Sequence, residues 1–121
     1  NGFDNLTYIE ASYNELPEII CSFDVAILPF FGGHRKLIPT ELFQFLACGK
    51  NVVTSAMPNL PECDAIYNSA SITEAVDNIR SILSRGSSEK NVENARAIAK
   101  EYDWERISKR VLNNDFDYEN D

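Results

Sequence analysis

The spacing of hydrophobic positions changes several times along the chain, and each change predicts an element. Asn5 to Ala11 holds β-branched and aromatic residues at Thr7, Tyr8 and Ile9 and reads as a first strand. After the polar turn Ser12-Tyr13-Asn14, the residues Leu16, Ile19, Ile20 and Phe23 recur on one helical face. Pro17 suits the first turn of that helix. Val25 to Leu28 is a continuous apolar run, expected of a strand covered on both faces and ended by Pro29. Leu42, Phe43, Leu46 and Ala47 return to helical spacing, with Gly49 where a C-terminal cap glycine belongs. Val52 and Val53 centre a strand over Asn51 to Ser55, and two prolines stiffen the loop from Ala56 to Glu62. Ala65-Ile66-Tyr67 is a short strand candidate at a sheet edge.

The last third reads as helices. Ser71-Ile72-Thr73-Glu74 is a capping box, in which the serine hydroxyl takes the amide three residues on and the glutamate reaches back. Ile72, Ala75, Val76, Ile79, Ile82 and Leu83 form the apolar stripe behind it, and Arg85-Gly86 ends the helix. A second helix is predicted from Ser88 to Tyr102, with Val92, Ala95, Ile98, Ala99 and Tyr102 inward. Asp103 can cap a final helix that carries Trp104, Ile107 and Val111 on one face. The resulting order, β-α-β-α-β-(β)-α-α-α, implies parallel strands with helices on both faces. The fold class expected is α/β: a Rossmann-like three-layer domain with a small parallel sheet of three to four strands.

Composition narrows this picture in three places. A length of 121 residues accommodates one domain with one core, so 1–121 is read as a single, partial domain. The net charge of −8 argues against a general nucleic-acid partner, since such binding requires phosphate neutralisation. Part of that charge lies in the acidic tail 113–121, where Asp115, Asp117, Glu119 and Asp121 are expected to be solvated and frayed. Cys21, Cys48 and Cys63 are odd in number and widely spaced, which fits reduced thiols and a cytoplasmic location better than a disulfide framework. No apolar run approaches membrane-spanning length, and Asn1-Gly2-Phe3-Asp4 has no signal-peptide character. The abrupt start before a strand predicts a fragment of a longer protein.

Candidate chemistry gathers after the run that ends at Pro29. In open α/β sheets ligands bind beyond the carboxyl ends of the strands. Here that position is the loop Phe30 to Ile38, with Gly32, Gly33 and the tripeptide His34-Arg35-Lys36. The loop feeds a helix amino end, whose unpaired amides and dipole favour an anion, so a phosphate is the natural guest. The plain alternative is a solvated loop with ordinary surface charge. Gly32 and Gly33 can let backbone approach a ligand or simply make a turn. Phe30 and Phe31 can flank a base or sugar, or pack in the core. His34, the sole imidazole, is the one candidate base and would need a partner and a substrate hydroxyl in reach. Tyr67 and Ser69 lie near another strand end, and Cys48 is expected in the core. With one histidine and no closely spaced cysteines, no metal and no cofactor is expected.

The run Pro39-Thr40-Glu41-Leu42-Phe43-Gln44-Phe45-Leu46-Ala47-Cys48-Gly49-Lys50-Asn51-Val52-Val53 resembles a signature of GT-B glycosyltransferases of the group 1, family 4-like type. Those enzymes often carry P-x-K-L-x-E-Y-L-A-x-G-K-P-V-V in the carboxy-terminal, nucleotide-sugar-binding domain. Leu16-Pro17 and Phe23 to Phe30 are similar to an upstream run of that domain, and Ser71 to Leu83 with Trp104-Glu105 to its closing helices. The similarity runs in order over nearly the whole chain.

The resemblance implies a sugar donor carried on a nucleoside diphosphate as substrate, and an acceptor-binding domain outside this chain that supplies the base. It implies a role in surface polysaccharide biosynthesis, with no membrane-spanning segment here. It places donor contacts at Gly33, His34, Arg35, Lys36, Thr40, Glu41, Leu42 and Gln44. The departures are informative. The family's lysine beside the diphosphate falls on Glu41, a reversal of charge that opposes a phosphate. The ribose-gripping acid falls on Gln44, whose amide offers one acceptor oxygen. The family's paired glutamates become Lys36 and Gln44. The competing expectation is therefore a degenerate GT-B-like module that binds without turnover. A nucleotide-sugar epimerase shares the fold and is the rival enzyme class. A receiver-type phosphoacceptor domain fits poorly, because Asp24 precedes its strand.

Overall fold

The computed structural model describes residues 4–12, 14–29 and 38–102. Their elements are α1 (Leu16–Cys21), β1 (Ala26–Leu28), α2 (Thr40–Ala47), β2 (Val52–Ser55), β3 (Ile66–Ser69), α3 (Ile72–Arg85) and α4 (Glu89–Glu101). The strands form a parallel sheet in the order β1-β2-β3. Ala26 pairs with Val52 and Leu28 with Thr54, while Val52 pairs with Ile66 and Ser55 with Ser69. The protein is thus α/β, with a small open sheet.

Side chains alternate across β2, and the alternation sorts the core into two halves. Val52 joins Ala26, Leu28, Leu42, Leu46, Met57, Ala65 and Ala95 on the face covered by α2 and α4. Val53 joins Ala75 and Ile82 on the face covered by α3. Burial of these side chains, at about 25 cal/mol per Å² of apolar surface, is the main force holding the layers together.

The ends of the helices follow the sequence closely. Gly49 adopts φ +73°, the left-handed geometry that closes α2. Its amide donates to Leu46 O at 2.9 Å and that of Lys50 to Phe45 O at 3.1 Å, the paired bonds of a Schellman cap. Gly86 ends α3 at φ +72°. Ser71 Oγ accepts the Glu74 amide at 3.1 Å, as the capping box predicts, but Glu74 Oε2 reaches one residue further back and accepts the Ala70 amide at 3.2 Å. Ser71→Ala is expected to destabilise the chain by about 1 kcal/mol in urea unfolding, and Ser71→Asp to retain most of that stability. Ser88 caps α4 in the same way, and Tyr102 beyond its end stacks on Phe43 at 4.8 Å.

Three expectations are corrected. No strand forms over Asn5 to Ala11; Leu6, Tyr8 and Ile9 stand 66%, 86% and 60% exposed, without a ladder partner. Strand propensity there is not matched by a neighbouring edge, and pairing is what stabilises a strand. Nor is the 25–28 run covered on both faces, since Ile27 is 45% exposed between buried Ala26 and Leu28. Among the described residues α3 packs chiefly over β2 and β3, and Ile27 on that side of β1 stays partly exposed. The predicted stripe of α3 is likewise split, with Ala75 and Ile82 buried and Ile72 and Leu83 exposed. The helix expected from Asp103 and the tail 113–121 lie outside the described residues. Among the described residues no helix is long and apolar enough to cross a membrane.

Candidate functional site

The carboxyl edge of the sheet is built from the ends of β1, β2 and β3 and the amino end of α2. Pro39 stands at the cap position of α2 with extended backbone (φ −63°, ψ 139°) and provides no side-chain cap. Its carbonyl accepts the Leu42 amide at 3.2 Å, which ties down the first turn. Thr40 and Glu41, the first helical residues, are both exposed, so the mouth of α2 opens to solvent. Gln44, one turn further in, is half-buried.

The expected donor contacts therefore divide. Thr40 and Glu41 stand together at the mouth, with Gln44 behind them. Leu42 does not belong there by its side chain: it is 0% exposed and forms part of the core beneath α2. Helical geometry explains this placement, because the residue two places after Thr40 points across the helix, onto the sheet. Gly33, His34, Arg35 and Lys36 lie outside the described residues, as do Phe30, Phe31 and Gly32. The charge of Glu41 at the open end pairs well with the helix dipole and works against an incoming anion.

Thr54 and Asn68 belong to the same edge and were not singled out in the sequence. Thr54 is 1% exposed on the α2 side of β2, in register with Leu28, the last residue of β1, and with Asn68. Its Oγ1 has no hydrogen-bond partner among the described residues. An unsatisfied buried hydroxyl costs on the order of 1–3 kcal/mol, so its place below the carboxyl edge is notable. Asn68 clamps the turn after β2: it accepts the Met57 amide at 3.2 Å and donates to Met57 O at 3.1 Å. A threonine or asparagine within a strand carries no pattern that announces either role.

The weaker candidates are structural. Ser69 is fully buried, accepts from Asn78 Nδ2 at 3.0 Å and donates to Tyr67 O at 3.3 Å. Tyr67 OH accepts from Arg85 Nη2 at 3.0 Å, at the far end of α3, which draws it away from the carboxyl edge. A groove of about 470 Å³ lies at the opposite side of the sheet, before β3, between Cys63 and Asp64 on one wall and Lys90, Asn94 and Ile98 on the other. There Asn94 Nδ2 donates to Asp64 Oδ1 at 3.1 Å. Burial pushes the Cys63 thiol above its ordinary pKa, with a smaller push from the Asp64 carboxylate against a lowering hydrogen bond at Ala65.

No family model, no curated protein and no solved structure matches this chain.

Proposed function

We propose that this chain is the donor-binding portion of a GT-B-type glycosyltransferase that moves a sugar from a nucleoside diphosphate to an acceptor hydroxyl. In that reaction the bond from the sugar's anomeric carbon to the diphosphate breaks, the acceptor oxygen bonds to that carbon, and a base outside this chain takes the acceptor's proton. These residues would hold the departing diphosphate, through the first-turn amides of α2 and the Thr40 hydroxyl, and balance its charge with Arg35 and Lys36. Gly33 and His34 would line the same loop, and Gln44 would meet the ribose. The sugar nucleotide is the substrate, and no cofactor is proposed. The reading carries with it the surface-polysaccharide role, the cytoplasmic location and the separate acceptor domain.

The observation that supports it most is the open amino end of α2 at the carboxyl edge: an uncapped Pro39, with Thr40 and Glu41 exposed beside it. One observation favours the second reading, a binding module without turnover. Glu41 occupies that open end and meets a diphosphate with like charge.

Titration of the chain with UDP, GDP and ADP, followed by amide chemical shifts, tests both. The donor reading expects one nucleotide to shift Thr40, Glu41 and Gln44 together with residues 33–36. Thr40→Ala should weaken that nucleotide about three- to tenfold, the loss of one hydrogen bond, and Glu41→Lys should tighten it. Silence toward all three nucleotides overturns the transferase reading and leaves the module.

A further inference from the structure

The sequence places Cys21 and Cys48 far apart, and the fold brings them together. Cys21 is the last residue of α1 and Cys48 the residue that closes α2. Two contacts lash α1 to the end of α2, one of them made by the Cys48 thiol itself. Lys50 Nζ donates to Cys21 O at 2.9 Å, and Cys48 Sγ donates to Pro17 O, one helical turn before Cys21, at 3.9 Å. The ring pair Phe23–Phe45, at 6.3 Å between centroids, packs beside them. With its Sγ on the Pro17 carbonyl, Cys48 lies within one helical turn of Cys21, and Lys50, two residues on, holds the Cys21 carbonyl. All three cysteines are free, with Cys21 exposed and Cys48 partly so.

We infer that Cys21 and Cys48 form a thiol pair that closes reversibly into an intramolecular disulfide, with a small-molecule disulfide such as oxidised glutathione as its oxidant. Exposure makes Cys21 the entry point. It loses its proton and attacks one sulfur of the reagent; the reagent's S–S bond breaks and one glutathione leaves as thiolate. Cys48 then loses its proton and attacks the Cys21 sulfur; the mixed S–S bond breaks and the second glutathione leaves. The released thiolates take up the two protons, so the protein pair loses two electrons and the reagent gains them. Burial and the adjoining Cys21 sulfur raise the Cys48 pKa, while the charges of Lys50 and Arg96 pull it down. That arrangement suits a resolving thiol, held mainly protonated until its neighbour has reacted. The crosslink would staple α1 to α2 at the end opposite Thr40. It does not depend on the donor-binding reading.

The test equilibrates the full chain with oxidised and reduced glutathione over a range of ratios, quenches with acid, and maps peptides without reduction. The expected result is a monomer that has lost two hydrogens, a peptide joining Cys21 to Cys48, and Cys63 still alkylatable. Cys48→Ser should stop at a stable glutathione adduct on Cys21, and Cys21→Ser should leave Cys48 largely unreacted. A Cys63→Ser variant should oxidise like the parent. The inference is overturned if the linkage joins two molecules, if it involves Cys63, or if all thiols stay free when most of the buffer is oxidised glutathione. Circular dichroism of each serine variant separates a lost partner from a lost fold.

Discussion

Gly49→Ala should be among the most damaging single-methyl additions to this chain, lowering its stability by about 2–4 kcal/mol. Two effects meet at the position. The backbone there sits at φ +73°, where a side chain costs about 1–2 kcal/mol. A Cβ would also lie 2.7 Å from Val92 Cγ1 and 3.4 Å from Arg96 Nε, both on α4. Val92 is half-buried and, being β-branched in a helix, is held close to one χ1 rotamer, so relief requires α4 to shift or α2 to lose its cap. Gly86 provides a comparison, because it shares nearly the same φ, +72°, and has nothing within 4 Å of an added Cβ, while its ψ of −175° lies in a region that glycine almost alone adopts. Gly86→Ala should therefore show a backbone cost alone, about 1–3 kcal/mol. Urea midpoints of the two variants measure the difference directly. If Gly49→Ala costs no more than about 1–2 kcal/mol, the cost of its backbone conformation alone, the close approach of α4 to the end of α2 is wrong.

That close approach also shows what was legible in the sequence. Gly49 could be read as a cap from its place after Leu46 and Ala47, but nothing in the spacing said that α4 would rest on it. Local signals translated well: Ser71 and Glu74, Ser88, Gly86, and the inward stripe of Val92, Ala95 and Ile98 all sit where period and capping chemistry put them. Signals that need a distant partner translated poorly. Thr7, Tyr8 and Ile9 have the composition of a strand, yet a strand requires an edge to pair with, and the segment is exposed. Val25 to Leu28 lacks polar alternation and so predicts a doubly covered strand, while coverage depends on how far α3 reaches across the sheet.

The candidate site was half legible for the same reason. A loop-to-helix junction beyond a strand is visible in the order of residues, and Thr40 and Glu41 do stand exposed at the amino end of α2. The motif places Leu42 at the site, while its helical phase turns its side chain inward. The unsatisfied Thr54 hydroxyl, the Asn68 clamp on Met57 and the meeting of Cys21 with Cys48 are products of packing between separate elements. No window of sequence contains them.

Leu42→Ala should cost about 2–5 kcal/mol, and it separates the structure of the α2 mouth from its chemistry. Leu42 is 0% exposed and packs among Leu28, Val52 and Met57, under the first turn of the helix. Truncation removes about three buried carbons' worth of transfer energy and leaves a cavity that a helix anchored on α4 cannot readily close. Thr40→Ala, two residues earlier on the exposed side, removes no buried surface and should move the urea midpoint by less than about 0.5 kcal/mol. The two variants thus predict opposite pairs of results. Leu42→Ala should unfold early, yet while folded it should give the same nucleotide response as the parent. Thr40→Ala should unfold like the parent and lose nucleotide affinity. A Leu42→Ala variant with parental stability would mean that the side chain is not part of the core. The first turn of α2 would then be free to move, and a diphosphate would have no fixed set of amides to meet.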